Sequence, residues 1–163
     1  MQSGQILVAE RNGVNVIKMV GDVRLTLCIS FDQFIDKMFS SDNFAQVIFD
    51  LSNAQAIDST TLGLMAKISV ICQDQFDLMP VVVSPDVGIN RLLETMGFED
   101  IFEIVRSSDQ VFEPATPLRP DDDHSDEVTY RNKVIEAHKV LMSLNAGNRE
   151  AFEDLIQSLE QGL

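Results

Sequence analysis

The amino-acid sequence predicts an α/β protein, a mixed β-sheet with helices packed on it, followed by a C-terminal helical hairpin. Three observations carry this reading. Two β-rich runs open the chain on either side of an Asn12-Gly13 pair. Apolar residues then alternate between helical spacing and short continuous strands. Finally, a stretch rich in Pro and Asp separates this pattern from two amphipathic segments. At 163 residues, 45% of them hydrophobic, the chain is long enough for one compact domain with an appendage and too short for two full domains. The expected division is a domain over 1–106, a linker over 107–126 and a hairpin extension over 127–163.

Residues 5–10 and 14–20 are β-rich, and Asn-Gly between apolar runs is a strong hairpin signal. Gly21 and Asp22 are expected to end the second strand. From Ser30 the period changes: Phe31, Phe34, Ile35, Met38 and Phe39 line one helical face, with Ser30 able to cap it and Gln33 able to close a capping box. Val47, Ile48, Phe49, Asp50 and Leu51 form a nearly uninterrupted apolar run, the pattern of a central strand covered on both faces, and a polar loop is expected over 52–55. Helical spacing returns with Leu64, Ile68 and Ile71, with Met65 and Cys72 adjacent. Residues 80–83 read as a second buried strand. Asp86 or Ser84 can cap the next helix, which turns Ile89, Leu92, Leu93 and Met96 inward and stops at Gly97. Residues 101–105 read as a last short strand.

After Arg106 the composition changes. Pro114, Pro117 and Pro120 fall close together and Asp121, Asp122 and Asp123 follow, which reads as an extended, solvated linker. Beyond it Tyr130, Val134, Ala137, Leu141 and Leu144 form one apolar seam. Gly147 is placed to stop that helix and Asn148 to cap a second, whose face carries Phe152, Leu155, Ile156 and Leu159. Two helices this short cannot bury their seams alone and must dock on the domain, on another copy or on a partner.

A formal net charge of −14 opposes binding to nucleic acid or to anionic membrane. No apolar run approaches the ~20 residues a membrane span needs. The first five residues lack the basic-then-apolar pattern of a signal peptide, so a cytoplasmic location is expected. Cys28 and Cys72 sit in apolar patterns and read as buried thiols kept reduced there. No cofactor is expected.

Chemistry concentrates at residues 50–63, Asp-Leu-Ser-Asn-Ala-Gln-Ala-Ile-Asp-Ser-Thr-Thr-Leu-Gly. Three hydroxyls in a row open a helix, where backbone N–H groups are unpaired and the dipole is positive, so a phosphate attached there meets ready donors. Ordinary capping by Asp58 or Ser59 explains the same residues, and chemistry alone favours it.

The stretch resembles the STAS domain of bacterial anti-sigma factor antagonists. The resemblance lies in Asp50-Leu51 closing an apolar strand and in Ile57-Asp58-Ser59-Thr60-Thr61-Leu62-Gly63 after a short polar loop. It covers residues 5–106 and includes Gly21-Asp22 and Gly97-Phe98. It implies that the chain is not an enzyme, that Ser59 accepts phosphate from an anti-sigma factor kinase, and that the unphosphorylated form binds the anti-sigma factor or kinase. It also implies that a cognate metal-dependent phosphatase resets the switch. The contact surface implied is Asp22, Arg24, Ser52, Asp58, Ser59, Thr60, Thr61 and Gly63. Two positions depart from the family pattern: Thr61 stands where many members have glycine, and Gly21-Asp22-Val23-Arg24 replaces the usual Gly-Glu-Leu-Asp. That last phrase, continued through Cys28, and the C-terminal extension resemble a gammaproteobacterial subgroup. Its members work with a response regulator having kinase and phosphatase activities, in control of flagellar genes, biofilm or general stress, and a flagellar anti-sigma factor is among the partners this implies.

The alternatives are weaker. A hydrolase would need a base near Ser59, and nothing in the spacing brings His124 or His138 there; a Gly-x-Ser-x-Gly elbow is missing too. Asp121, Asp122, Asp123, His124 and Asp126 lack the fixed-spacing loop of a metal site and read as solvated linker. A STAS domain serving as a non-cycling adaptor or scaffold is the main competing function.

Overall fold

The computed structural model describes residues 3–107, 116–120 and 126–161. Strands β1 (Gln5–Arg11) and β2 (Val14–Val23) pair antiparallel through a two-residue turn, Arg11 facing Val14. Asn12 and Gly13 both take positive φ (52° and 84°), which is why Asn-Gly suits this turn. A 3-10 turn over Leu25–Leu27 runs into α1 (Cys28–Phe39). There follow β3 (Gln46–Ile57), α2 (Ser59–Phe76), β4 (Val81–Val83), α3 (Val87–Thr95), β5 (Glu103–Val105), β6 (Thr116–Pro117), α4 (Glu127–Leu144) and α5 (Ala146–Gln161).

The described strands form one sheet ordered β5-β4-β3-β2-β1-β6, with β2 to β5 mutually parallel and β1 and β6 antiparallel to their neighbours. Ile17, Phe49, Val82 and Ile104 stand in register and supply the main core, which α1 and α2 close with Phe31, Ile35, Leu62, Met65 and Ile68. Phe49 meets Phe102 edge-on, ring centres 5.7 Å apart. The opposite face carries only a small cluster around Val16, Ile48 and Val83. Cys28 and Cys72 are free and buried, and burial pushes their thiols up to about 11 and about 12, so both stay protonated and unreactive near neutral pH.

Four expectations need correction. Helix α1 starts at Cys28, because the 3-10 turn leads straight into it; Ser30 lies inside the helix, and its hydroxyl donates to the Arg119 carbonyl instead of capping. The polar residues 52–55 belong to β3: the β2–β3 ladder continues to Val23–Ile57, and two register shifts absorb the irregularity while Ser52, Asn53 and Gln55 face solvent. Within the expected linker, Thr116 and Pro117 add a sixth strand against Leu7 and Val8. At the hairpin junction Asn145, in extended conformation, is the cap; its Oδ1 accepts the Asn148 N–H at 2.8 Å, so Gly147 and Asn148 lie within α5. Leu155, expected on the buried seam, is 45% exposed, whereas Ala137, Leu141 and Ile156 are buried.

Candidate functional site

Helix α2 begins where β3 ends, and Asp58 fastens the junction. Its Oδ1 accepts the Thr61 N–H (2.9 Å), which caps α2, and its Oδ2 accepts the Leu25 N–H (2.6 Å). Its own N–H donates to the Val23 carbonyl (3.0 Å). One aspartate thus ties together the ends of β2 and β3 and the first turn of α2. Asp22 and Arg24 sit beside it. The Arg24 Nε donates to Asp22 Oδ2 at 2.7 Å, and that hydrogen bond, with the charge of Asp22, raises the guanidinium pKa. The arginine that departs from the family pattern is therefore paired within its own loop.

Of the sequence-selected residues, Asp22, Arg24, Asp58 and Ser59 meet at this end of the sheet. Ser52 does not join them: it is exposed on β3, six residues before Asp58, roughly 20 Å away at ~3.3 Å per strand residue. Thr60 and Thr61 are 3% and 2% exposed, and Gly63 is buried. Those three are covered because α4 lies across α2. A Cβ built on Gly63 would fall 2.3 Å from the Ala137 carbonyl oxygen, so only glycine allows the two helix backbones to come this close.

Contrary to the sequence reading, His138 reaches Ser59. The Ser59 Oγ lies 2.7 Å from His138 Nε2, and His138 Nδ1 lies 2.7 Å from the Val134 carbonyl. A carbonyl can only accept, so Nδ1 carries a proton; in the neutral ring Nε2 is then an acceptor and the Ser59 hydroxyl donates to it. His138 is 2% exposed, and Phe152 of α5 meets its ring edge-on with centres 4.9 Å apart. His124 lies outside the described residues, as do Asp121, Asp122 and Asp123. Among the described residues, no group of three or more His, Cys, Asp or Glu is placed to hold a metal ion, and no helix is long and apolar enough to cross a membrane.

Sequence reasoning also missed an ionic cluster that holds the hairpin. Asp32 of α1, 3% exposed, accepts from Lys67 of α2 (2.8 Å) and Lys133 of α4 (2.5 Å); Glu136 accepts from Lys67 (2.7 Å). Burial alone would raise the Asp32 pKa, but the hydrogen bonds from the two lysines outweigh it and lower the carboxyl below its ordinary value. Burial likewise works against Lys67, and its bonds to Asp32 and Glu136 win and raise it; Lys133 is raised first by its bond to Asp32. The sequence did carry a signal: Asp32 interrupts an apolar helical face, and Lys67 is the sole charge between Ser59 and Gln73. At the far end of the hairpin, the buried Asn148 amide donates to the carbonyls of Met96 and Leu141, both at 2.9 Å.

A STAS-domain family profile matches residues 5–111, and the chain belongs to the STAS domain family. Among solved structures it is similar to an anti-sigma factor antagonist from Mycobacterium paratuberculosis, with a TM-score of 0.53 and 20% sequence identity over 66% of this chain and 89% of that one. At that identity the likeness is one of fold. No curated protein matches the chain.

Proposed function

We propose that the chain is an anti-sigma factor antagonist that works by partner switching, with Ser59 as its phosphoacceptor. The observation that carries this is the Asp58-Ser59 corner. Asp58 caps an 18-residue helix and locks it to two strand ends, so Ser59 stands on a rigid helix N-terminus whose field favours an anion. The STAS family assignment and the likeness to a solved antagonist support the same role. In this reading the unphosphorylated protein binds an anti-sigma factor or serine kinase through Asp22, Arg24, Asp58 and Ser59. Phosphate then adds about −1.5 to −2 charge in the middle of that surface and releases the partner. A cognate phosphatase resets it; a response regulator with kinase and phosphatase activities fits that task, and a flagellar anti-sigma factor is one partner of the right kind. The protein itself carries out no chemistry. Although Ser59 and His138 are in hydrogen-bond reach, the ring is buried under Phe152 and its Nδ1 faces a backbone carbonyl where a catalytic triad would place a carboxylate. The protein would act in the cytoplasm, where such partners are found.

One observation favours a second reading, a STAS adaptor that never cycles phosphate: the Ser59 hydroxyl is already engaged by His138 and half-buried. Mass spectrometry of the protein purified from cells, with phosphopeptide mapping, separates the two. Phosphate on Ser59, lost in Ser59→Ala, supports the switch. Label on Thr60 or Thr61, or none under any growth condition, favours the adaptor. Proteins that co-purify with Ser59→Ala identify the partner.

A further inference from the structure

The hairpin covers the surface through which the proposed switch would meet its partner. Thr60, Thr61 and Gly63 lie under or beside α4, and His138 sits on Ser59. The covered face has the features of a helix-binding site. Gly63 removes the Cβ that would otherwise hold a second helix away, and Ala137 presents the matching small residue. Beside this close approach, Asp32 is buried and needs cations: Lys67 supplies one from the domain, and the second, Lys133, comes from the hairpin. Glu136 of the hairpin in turn balances Lys67. A domain without this helix would leave a carboxylate short of a partner and a glycine-lined furrow open.

We infer that the α2 face beneath the hairpin is a docking surface for an amphipathic helix of the partner protein, and that α4 is its tethered competitor. The inference rests on the partner-switching reading and names the partner's recognition element. The chemistry on the page specifies that element. It carries a small residue to lie on Gly63, a cation four positions earlier to reach Asp32, and an acidic residue just before the small one to meet Lys67, as Lys133, Glu136 and Ala137 do now. The hairpin suits the role of a removable occupant. Its contacts are mostly polar tethers and small side chains, and an apolar helix seam that leaves the domain can close on α5 while the sheet core stays intact. Residues 107–126 keep the displaced hairpin attached, at roughly millimolar effective concentration.

The test uses full-length protein and a labelled synthetic peptide spanning residues 126–161 as the probe. In the intact protein the face is occupied, so the peptide binds weakly. Ala137→Arg places a long charged side chain against Gly63 and expels the tethered hairpin while leaving the face itself unaltered. Peptide affinity should rise by about 100-fold, since a competitor at roughly millimolar effective concentration has been removed. Amide exchange over residues 127–161 should speed up in the same variant without probe. Lys133→Glu, which sets a carboxylate against Asp32, should act in the same direction more weakly and serves if Ala137→Arg does not fold. Adding Gly63→Val to either variant should abolish peptide capture by closing the furrow. Equal peptide affinity in the intact protein and both variants, or capture that survives Gly63→Val, overturns the inference. So does an expelled hairpin whose vacated face takes no peptide. None of these readouts involves phosphate, so a protein that captures the peptide but never carries phosphate on Ser59 would sink the switch and leave the docking surface standing.

Discussion

The sheet with α1 to α3 and the hairpin of α4 and α5 are held by different means. In the sheet domain, whole aromatic and branched side chains disappear from solvent: Phe31, Phe49, Phe98, Phe102, Ile17 and Leu51 are each at most 2% exposed. On the hairpin the apolar side chains buried to that degree are Ala137 and Leu141, with Ile156 at 3% and Tyr130, Val140, Leu144 and Phe152 only partly covered. What fixes the hairpin is instead a set of directional contacts: Ser59 to His138, Lys133 to Asp32, and Asn148 to Met96. Apolar burial is non-directional and sums over the whole core, so the domain is expected to unfold as a unit. A surface held by a few hydrogen bonds can open locally at lower cost.

The largest effect should come from breaking the domain side of this comparison. Phe49→Ala removes a ring fully buried against Phe102 and should cost about 3–5 kcal/mol, seen as a drop in the midpoint of global chemical unfolding. Next, Asp32→Ala removes the shared acceptor of two lysines that are themselves partly solvated. A loss of about 1–3 kcal/mol is expected. It should appear chiefly as faster amide exchange over residues 127–161, with exchange in β2 and β3 little changed; an equal loss of protection in the sheet would show that the two regions open together.

The same cluster makes hairpin docking depend on pH at both ends. Asp32 is lowered in the folded state, so its contribution is present above the unfolded value, about 3.9, and is lost as pH falls below that through the folded value. Lys67 and Lys133 are raised, so theirs is present below about 10.4 and lost as pH climbs through the folded values. Hairpin protection, measured by exchange or limited proteolysis, should be flat between these limits and fall outside them. Asp32→Asn should remove the acid limb.

A smaller effect is expected at the Ser59 contact. His138→Ala should weaken docking by about 1 kcal/mol by deleting one partly buried hydrogen bond and the contact with Phe152. Under the switch reading it should also speed phosphorylation of Ser59 in cell extract, read by intact mass, because the hydroxyl is freed. The smallest is Lys139→Ala, which removes an exposed pair with Glu160, both side chains about half exposed. Its effect on exchange should be within a few tenths of a kcal/mol.

Local rules made much of the domain legible. Asn12-Gly13 could only be a tight turn, the 3.6-residue spacing of Phe31, Ile35 and Met38 placed one face of α1 on the core, and Asp58 before three good first-turn residues marked the start of α2. Polarity misled where backbone pairing overrode it. Residues 52–55 look like a loop because their side chains are polar, yet their backbone keeps the ladder with β2 and the side chains simply face water. Ser30 and Asn148 look like caps because both types often are, and each was drawn instead into a contact with a distant carbonyl.

The sequence by itself determined the strand and helix order, the family motif around Ser59 and the existence of two amphipathic C-terminal segments, because those depend on neighbours within a turn or a strand. Only the tertiary structure decided where the hairpin goes. Asp32, Lys67 and Lys133 are separated by 35 and 66 residues, and Ser59 and His138 by 79, so nothing local couples them. Their meeting follows from the close packing of α4 on Gly63, a contact between two helix backbones whose only trace in the sequence is a missing side chain at one position and a methyl group at the other.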